Sequence, residues 1–382
     1  MRDKLTAVEA DITTLAVDAR LDARPSPLAR YLLLAYGLLI IYASLHPFSG
    51  WRDQGAGAFA FLTTALPRYI TAFDLVTNFT AYLPLGFFAL LALHPLLRGA
   101  PALAAAGLAG CCLSLALEAL QTYLPSRIPS NLDLATNGLG AFAGAGLALF
   151  YGIGLLRGGR LYALRHRLFL PGARYDLGLV LLALWLFTQL NPETLLFGNG
   201  DLRELLGHAP TPLHPAEVFI QMEAAVAACN LVAVGLFASS LAQDDQPLRR
   251  LLLLPLAAAL GLKTIAVGVL LKAQNVFAWL TPGAFLGLAG GILVLMPVLA
   301  LPRAARLALA GLLLMAATVL VNQAPENPYF ADALAQWPHG YFLNFNGVTH
   351  LVSLAWPFAA LFYLMLLAPR LAPGSADGDG KL

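Results

Sequence analysis

The chain has 382 residues, of which 59% are hydrophobic and 12% are charged. Soluble domains carry about a quarter charged residues, so this composition excludes a water-soluble globular protein and is typical of a chain that folds in lipid. The net charge of +2 is too small to indicate a partner.

Apolar runs of roughly 17 to 25 residues, the length that crosses a bilayer as a helix, recur along the whole chain. They predict an all-α fold, a polytopic transmembrane bundle of about ten helices, with the charged residues in the gaps. The fifth run is the shortest. The predicted helices cover 30–47, 73–93, 102–124, 133–156, 176–191, 217–241, 249–272, 280–301, 304–322 and 348–369.

The gaps between runs predict how the chain is organised. The first 29 residues are too long and too acidic for the start of a cleaved signal peptide, so helix 1 is predicted to be retained. The predicted segments are a cytoplasmic N-terminal segment 1–29, a four-helix unit 30–156, a basic cytoplasmic loop 157–175, a second four-helix unit 176–301, a helix pair 304–369 and a cytoplasmic tail 370–382.

Basic residues predict the orientation, because cytoplasmic loops of membrane proteins retain Lys and Arg. With ten helices and the N-terminus inside, 17 of the 23 Lys and Arg residues lie on the cytoplasmic side. Five lie outside, and Lys263 lies within a helix. Both termini are therefore predicted to be cytoplasmic.

Several segments of the chain also resemble one another. NFTAYLPLGFFALLAL resembles NLVAVGLFASSLA, and GAFAGAGLAL resembles GAFLGLAGGIL. These pairs predict a degenerate parallel repeat that relates helices 1–4 to helices 5–8. FNGVTHLVSLAWPF aligned on FDLVTNFTAYLPLG predicts a partial third copy in helices 9 and 10. The alternative is that these segments resemble one another only because they are all rich in Leu, Ala and Gly.

Polar side chains recur at the predicted outer ends of helices 2, 3 and 4. Asp74 and Asn78 lie one turn apart at the start of helix 2, and Glu118 lies about 9 Å inside helix 3 at 1.5 Å per residue. Polar groups in lipid cost free energy unless they are paired, so we expect partners at the same level. The predicted ligand-binding candidates here are Asp74, Asn78, Glu118, Gln121, Arg127, Ser130, Asp133 and Asn137.

A structural role is the alternative for most of these residues. Asp74 and Asp133 lie where helices begin and suit the positive end of the helix dipole. The amides and Ser130 suit hydrogen bonds between packed helices, and the glycines of helix 4 suit close packing. Glu118 fits a structural role least, because an acid inside a membrane helix is costly.

Lys263 is a further candidate, about 13 Å from the outer end of helix 7 and thus near Glu118 in depth. An ammonium group there must reach the membrane surface, lose its proton or bind an acid. We predict that Lys263 and Glu118 approach each other, directly or through a bound headgroup.

Motifs for metals, nucleotides and catalytic nucleophiles are missing from the sequence. It contains no GxGxxG or Walker-type loop, HExxH, CxxC or serine elbow. The three cysteines lie in apolar runs, where they suit helix packing. We therefore expect no cofactor and no metal. The basic segment RGGRLYALRHRLFLPGAR suits anionic lipid headgroups better than nucleic acid.

Three motifs in order, FDLVTNFTAYLPLGF, LEALQTYLPSR and SNLDLATNGLGAFAG, resemble the VanZ-like membrane family over about residues 30–156. The resemblance implies an integral protein of the bacterial cytoplasmic (inner) membrane that acts in the cell envelope. The family is named for a teicoplanin-resistance protein, which raises a link to glycopeptide resistance. Its biochemical activity is not established, and the long second half of this chain departs from the short namesake.

Three functions are open at this point. Binding or translocation of an envelope lipid or lipid-linked sugar, which we favour, predicts a cavity open to the outer leaflet. An intramembrane enzyme with Glu118 or Asp133 as general base predicts convergence on a scissile bond. A structural partner of a cell-wall or polysaccharide assembly complex predicts a filled cluster and an exposed apolar flank. The expected partners are membrane lipids and a lipid-linked envelope precursor.

Overall fold

A computed structural model of the chain describes residues 26–66, 71–156, 160–207, 215–243, 247–270, 275–325, 327, 329 and 343–368. Within these residues the secondary structure is helical, apart from one isolated bridge between Phe169 and Ala242. This confirms the all-α prediction. The predicted tail 370–382 and most of the segment 1–29 lie outside the described residues, as do Arg68 and Lys272.

We number eleven helices in chain order. They are α1 Pro27–Leu45, α2 Ala72–Leu93, α3 Gly99–Gln121, α4 Asn131–Leu147, α5 Arg160–Leu168, α6 Ala173–Thr188, α7 Ala216–Leu241, α8 Leu253–Leu270, α9 Pro282–Val298, α10 Arg303–Gln323 and α11 Leu343–Leu367. A π-helical turn, Ala148–Gly152, joins α4 to the short helix Ile153–Leu156, and a single turn, Leu248–Leu251, precedes α8.

Each of the ten predicted helices corresponds to one of these helices. Among the described residues, eight helical stretches are long and apolar enough to cross a membrane. The other two are α6, with 16 residues, and α9, with 17 residues. The fifth predicted helix is therefore the shortest, as expected. Helix α5 lies in the segment predicted to be a basic loop.

Several predicted helix boundaries differ from the observed ones, and two of these differences can be explained. The third predicted helix ran to residue 124, but α3 ends at Gln121, because Pro125 follows and disfavours helical backbone before it. The fourth ran unbroken to residue 156, but the π-helical turn interrupts it, and Gly152 in that turn lies against the ring of Phe87.

The chain divides into two compact units, Met1–His166 and Arg167–Leu382, which we call unit 1 and unit 2. The division falls within the predicted basic loop 157–175. Unit 2 contains both the predicted second four-helix unit and the C-terminal helix pair.

In unit 1, α2 and α4 pack with their backbones in close approach. A Cβ atom on Gly144 would lie 1.8 Å from the carbonyl oxygen of Leu83, and one on Gly140 would lie 2.2 Å from that of Phe79. Gly86 of α2 makes the reciprocal approach to Ala141. Small residues allow membrane helices to pack at this distance, so Gly140 and Gly144 of α4 serve packing, as one alternative predicted.

The loop between α1 and α2 folds back over the turn between α3 and α4. Backbone N–H of Arg52 donates to the carbonyl of Tyr123 at 3.0 Å, and the Gln54 amide donates to that of Thr122 at 2.8 Å. Farther along the loop, the carbonyl of Thr64 accepts from the Asn131 amide at 2.8 Å. These bonds hold the loop beside the ends of three helices.

Helix α7 forms the centre of unit 2, where α9 and α10 pack along it. The connection after α6 also enters the interior, since all residues from Leu196 to Gly200 are buried. Asn199 accepts a hydrogen bond from Ser353 at 2.9 Å, and the carbonyl of Gly200 accepts from Asn322 at 2.7 Å. Irregular backbone at membrane depth requires such internal partners.

The helix pair α7–α9 resembles α2–α4 in its packing but not in the register that the sequence predicted. Gly283, aligned with Gly140, lies against the carbonyl of Ile220, whereas Gly140 lies against Phe79, next to Asn78. The sequence aligns Asn78 with Asn230, which is ten residues, or about 15 Å of helix, beyond Ile220. The alignment of Gly140 with Gly283 and that of Asn78 with Asn230 therefore cannot both hold in one ungapped superposition of the two helix pairs. The parallel repeat stays a prediction.

Candidate functional site

Three carboxylates from three helices lie close together at one end of unit 1. Asp74 is in the first turn of α2, Asp133 is in the first turn of α4, and Glu118 is in the last turn of α3. The carboxylate of Asp133 interacts electrostatically with both of the others. We call these three residues the carboxylate cluster.

Glu118 bridges the end of α3 and the start of α4. Only 4% of the residue is exposed, and its Oε2 accepts a hydrogen bond from the backbone N–H of Ser130 at 2.8 Å. Ser130 caps α4 with its own side chain. Because α3 ends three residues after Glu118, the acid lies about 4.5 Å from the helix end, not the 9 Å that the sequence predicted.

Asp74 takes part in capping α2 and also faces the cluster. The hydroxyl of Thr71 donates to its carboxylate at 2.6 Å and accepts from its backbone N–H at 3.1 Å. The side chain of Asn78, one turn farther along, interacts with the carboxylate of Asp133 of α4. Asp74 thus stabilises the start of α2, and a ligand-binding role for Asp74 and Asn78 stays a prediction.

Beneath the cluster, a buried polar network connects α2, α3 and α4. The Asn137 amide donates to the hydroxyl of Ser114 at 2.9 Å, which in turn hydrogen-bonds the hydroxyl of Tyr82. Asn137 is 6% exposed, and its Oδ1 has no hydrogen-bond partner among the described residues. Sequence reasoning missed Ser114 and Tyr82, because a lone hydroxyl in an apolar helix carries no distinct signal.

Gln121 and Arg127 bind the end of α1. Gln121 donates to the carbonyl of Ser44 at 2.8 Å. The guanidinium of Arg127 donates to the carbonyl of Ala43 at 3.2 Å and twice to that of His46, at 3.1 and 2.5 Å. Burial lowers the pKa of Arg127, but an arginine remains charged. Both residues thus satisfy carbonyls that a helix end leaves without partners.

An apolar groove lies beside the cluster on α3 and α4, two of the three helices that carry it. Its volume is about 570 Å³. Leu134 in its wall follows Asp133 directly, and Leu115 lies three residues before Glu118. The groove is lined by Cys111, Cys112, Leu115, Leu134, Ala135, Gly138, Leu139 and Phe142.

Residues 26–153 match the family model described as VanZ/LLP1. The chain carries a VanZ-like unit. The match spans α1 to α4, so it contains the carboxylate cluster and the apolar groove. With the eight long apolar helices among the described residues, the match supports a multi-pass membrane protein that contains a VanZ-like unit. No curated protein and no solved structure matches the chain.

Outside the VanZ-like unit, Lys263 is buried in unit 2, with 1% of the residue exposed. Its ammonium donates to the carbonyls of Asn191 at 2.8 Å and Thr194 at 2.6 Å. Glu193 and Glu223 add favourable electrostatic interactions. These contacts are all made within unit 2, and the approach of Lys263 to Glu118 of unit 1 stays a prediction.

Glu223 is a buried acid that sequence reasoning missed. It is 2% exposed, and its Oε2 accepts a hydrogen bond from the hydroxyl of Thr281, the residue that caps α9. Glu223 lies seven residues into α7, so the argument that singled out Glu118, an acid inside an apolar helix, applied to it equally.

The cluster and its surroundings offer a defined chemistry. Carboxylates accept hydrogen bonds and attract cations, and amide and hydroxyl groups adjoin them through Asn78, Asn137 and Ser130. Within the described residues, no three His, Cys, Asp or Glu side chains are placed to hold a metal ion. The carboxylate oxygens of the cluster suit a ligand that brings hydroxyl or ammonium donors.

Proposed function

We propose that the VanZ-like unit binds, and in doing so translocates or presents, an envelope lipid or lipid-linked sugar at the carboxylate cluster. The observation that carries the proposal is that two of the three helices that bear the cluster, α3 and α4, also line the apolar groove. A molecule with a polar head and an aliphatic chain fits both at once, whereas a soluble ligand would use only the cluster.

The side chains at the cluster favour one kind of headgroup. Asp74, Asp133 and Glu118 are acceptors when ionised, and three neighbouring carboxylates repel a bare phosphate. Among the described residues, the hydrogen bonds of Arg127 go to carbonyls at the end of α1 and not to the cluster carboxylates. A headgroup rich in sugar hydroxyls, or one that carries an amine, complements the cluster better.

The membrane side of the site follows from the proposed orientation. If the 17 basic residues identified above are cytoplasmic, the ends of α2, α3 and α4 that carry the cluster lie in the outer leaflet of the inner membrane. A ligand there belongs to the cell envelope. A link to teicoplanin-type resistance is part of the same proposal, since that phenotype is also one of the envelope.

Native mass spectrometry of the full chain in mild detergent tests the proposal through the amphiphiles that copurify. We expect a bound species that carries hydroxyl or amine groups in the wild type. It should be lost from Glu118→Gln and Asp133→Asn, which remove charge, and from Leu139→Trp, which fills the groove without changing charge.

Asp53→Asn is the matched control, because Asp53 is an exposed carboxylate of the α1–α2 loop outside the cluster. It should retain the bound species. Thermal unfolding should show that the cluster variants remain folded, because glutamine and asparagine keep the shape of the acids and a carbonyl oxygen that can accept the same hydrogen bonds. The same bound species at the same occupancy in all five proteins would refute the proposal.

A further inference from the structure

We propose a second binding site in unit 2, for the phosphate-bearing headgroup of an anionic phospholipid. It is a cavity of about 420 Å³ between the start of α6, the start of α10 and the end of α11. Its lining residues are Pro171, Gly172, Ala173, Arg174, Tyr175, Arg303, Leu307 and Leu367. The carboxylate cluster lies in unit 1, and this inference does not depend on its function.

The two arginines of this cavity differ in how they are held. Arg303 donates to the carbonyl of Ser240, and its guanidinium lies 5.8 Å from the centre of the Tyr175 ring. The guanidinium of Arg174 is exposed and makes no hydrogen bond or ion pair with any residue the structure describes. One cation is thus fixed in the wall, and the other is available to a ligand.

Among the described residues, the charges around the cavity leave it net positive. Besides Arg174 and Arg303, the charged groups described near it are Asp176 of α6 and Arg306 of α10, both buried. Asp176 and Arg303 both interact electrostatically with Tyr363 of α11, and Arg306 donates to the hydroxyl of Ser239 at 2.9 Å. Three guanidinium groups against one carboxylate favour an anion, and arginine matches phosphate oxygens in geometry.

The apolar part of the wall favours a lipid over a free anion. Leu307 and Leu367 lie on helices long enough to cross a membrane, and they line the cavity beside the arginines. Basic pockets between membrane helices on the cytoplasmic side are suited to anionic headgroups, and the predicted orientation puts Arg174 and Arg303 on that side. The cavity therefore offers contacts to a phosphate and to the start of an acyl chain.

The test is a thermal-shift titration of the full chain in detergent with phosphatidylglycerol, phosphatidylcholine or inorganic phosphate. Phosphatidylglycerol should stabilise the wild type most. Arg174→Gln should weaken its apparent affinity at least about tenfold, the loss expected for one charge-assisted hydrogen bond. Because the Arg174 side chain has no partner within the described residues, this variant should fold normally without lipid.

Two further variants distinguish binding in this cavity from general electrostatic attraction between the lipid and basic residues. Arg250→Gln removes an exposed cation outside the cavity and should bind as the wild type does. Ala173→Trp fills the cavity without changing charge and should lose affinity. Equal losses in Arg174→Gln and Arg250→Gln would overturn the proposal, as would unchanged binding by Ala173→Trp. Stabilisation by phosphatidylcholine or inorganic phosphate equal to that by phosphatidylglycerol would overturn it too.

Discussion

Three of the candidate residues with long polar side chains donate hydrogen bonds to backbone carbonyls. Gln121, Arg127 and Lys263 donate to carbonyl oxygens of residues between 69 and 84 positions away. Carbonyls at helix ends and in buried loops have no intrahelical partner, and in lipid each unpaired one costs free energy. These three candidates therefore stabilise the fold, and a role for them in binding a ligand stays a prediction.

An ion pair in the loop between α6 and α7 provides a pH-dependent test of one such contact. Asp201 lies 2.6 Å from Arg203, and Arg203 also donates to the carbonyl of Ala324 at 2.6 Å. Burial raises the pKa of Asp201, but the hydrogen bonds and charge of Arg203, with a contribution from His350, outweigh this and hold it below its usual value.

A carboxyl group whose pKa is lowered by folding stabilises the protein above its unfolded pKa of about 3.9, and this contribution is lost as the pH falls through the folded pKa. Asp201→Asn should therefore lower the free energy of unfolding near neutral pH, by no more than about 1 kcal/mol for a partly exposed pair. The difference from wild type should narrow at acidic pH.

Thermal unfolding of the wild type and of Asp201→Asn, measured from about pH 3 to about pH 7, gives this difference in stability. The range runs from below the unfolded pKa of about 3.9 to neutral pH. Arg203→Gln should show the same narrowing, because it removes the other member of the pair. A difference between wild type and Asp201→Asn that stays constant over the range would show that the ion pair does not produce it.

At the scale of helices, the close approach of α2 and α4 is the most specific feature of the VanZ-like unit. Gly144→Ala would place a Cβ atom 1.8 Å from the carbonyl oxygen of Leu83. The backbone cannot yield as a flexible side chain would, so we expect a loss of about 1–3 kcal/mol or more in the free energy of unfolding.

Gly146 supplies the matched control in the same helix. A Cβ atom there would meet nothing within 4 Å, and alanine favours helix over glycine by up to about 1 kcal/mol. Gly146→Ala should therefore be neutral or stabilising when unfolding in detergent is compared. Equal destabilisation by both substitutions would mean that the two helices do not pack at this distance.

Helix positions were predictable from the sequence because hydrophobicity is local. All ten predicted helices are present, and the boundary errors at α3 and α4 come from Pro125 and from one π-helical turn. The ends that carry Asp74, Glu118 and Asp133 were also placed at one level by counting residues. What could not be predicted is which side chain bonds which backbone group, since contacts such as that of Arg127 with His46 join residues 81 positions apart.

At the scale of the molecule, the proposed membrane orientation depends on whether α6 crosses the bilayer. It has 16 residues, or about 24 Å of helix, and the hydrocarbon core is about 30 Å thick. The α3–α4 loop and the loop before α9 are separated by α4, α6, α7 and α8. If all four cross, both loops lie on one side, and if α6 does not cross, they lie on opposite sides.

Cysteine labelling decides between these two arrangements. After Cys111, Cys112 and Cys229 are replaced by alanine, single cysteines at Ile128, which is 88% exposed, and Phe277, which is 58% exposed, report on the two loops. The 17 cytoplasmic and five external basic residues predict that a membrane-impermeant maleimide will label both in intact cells with an accessible outer face.

Arg250→Cys serves as the internal control and should be labelled only after the membrane is permeabilised, while all three cysteines should react in detergent. Labelling of Ile128→Cys but not of Phe277→Cys in intact cells would show that one helix between them fails to cross, which would also remove the parallel repeat. Labelling of Arg250→Cys alone would invert the orientation. It would place the carboxylate cluster in the cytoplasmic leaflet, where the proposed ligand would have to be an inner-leaflet lipid.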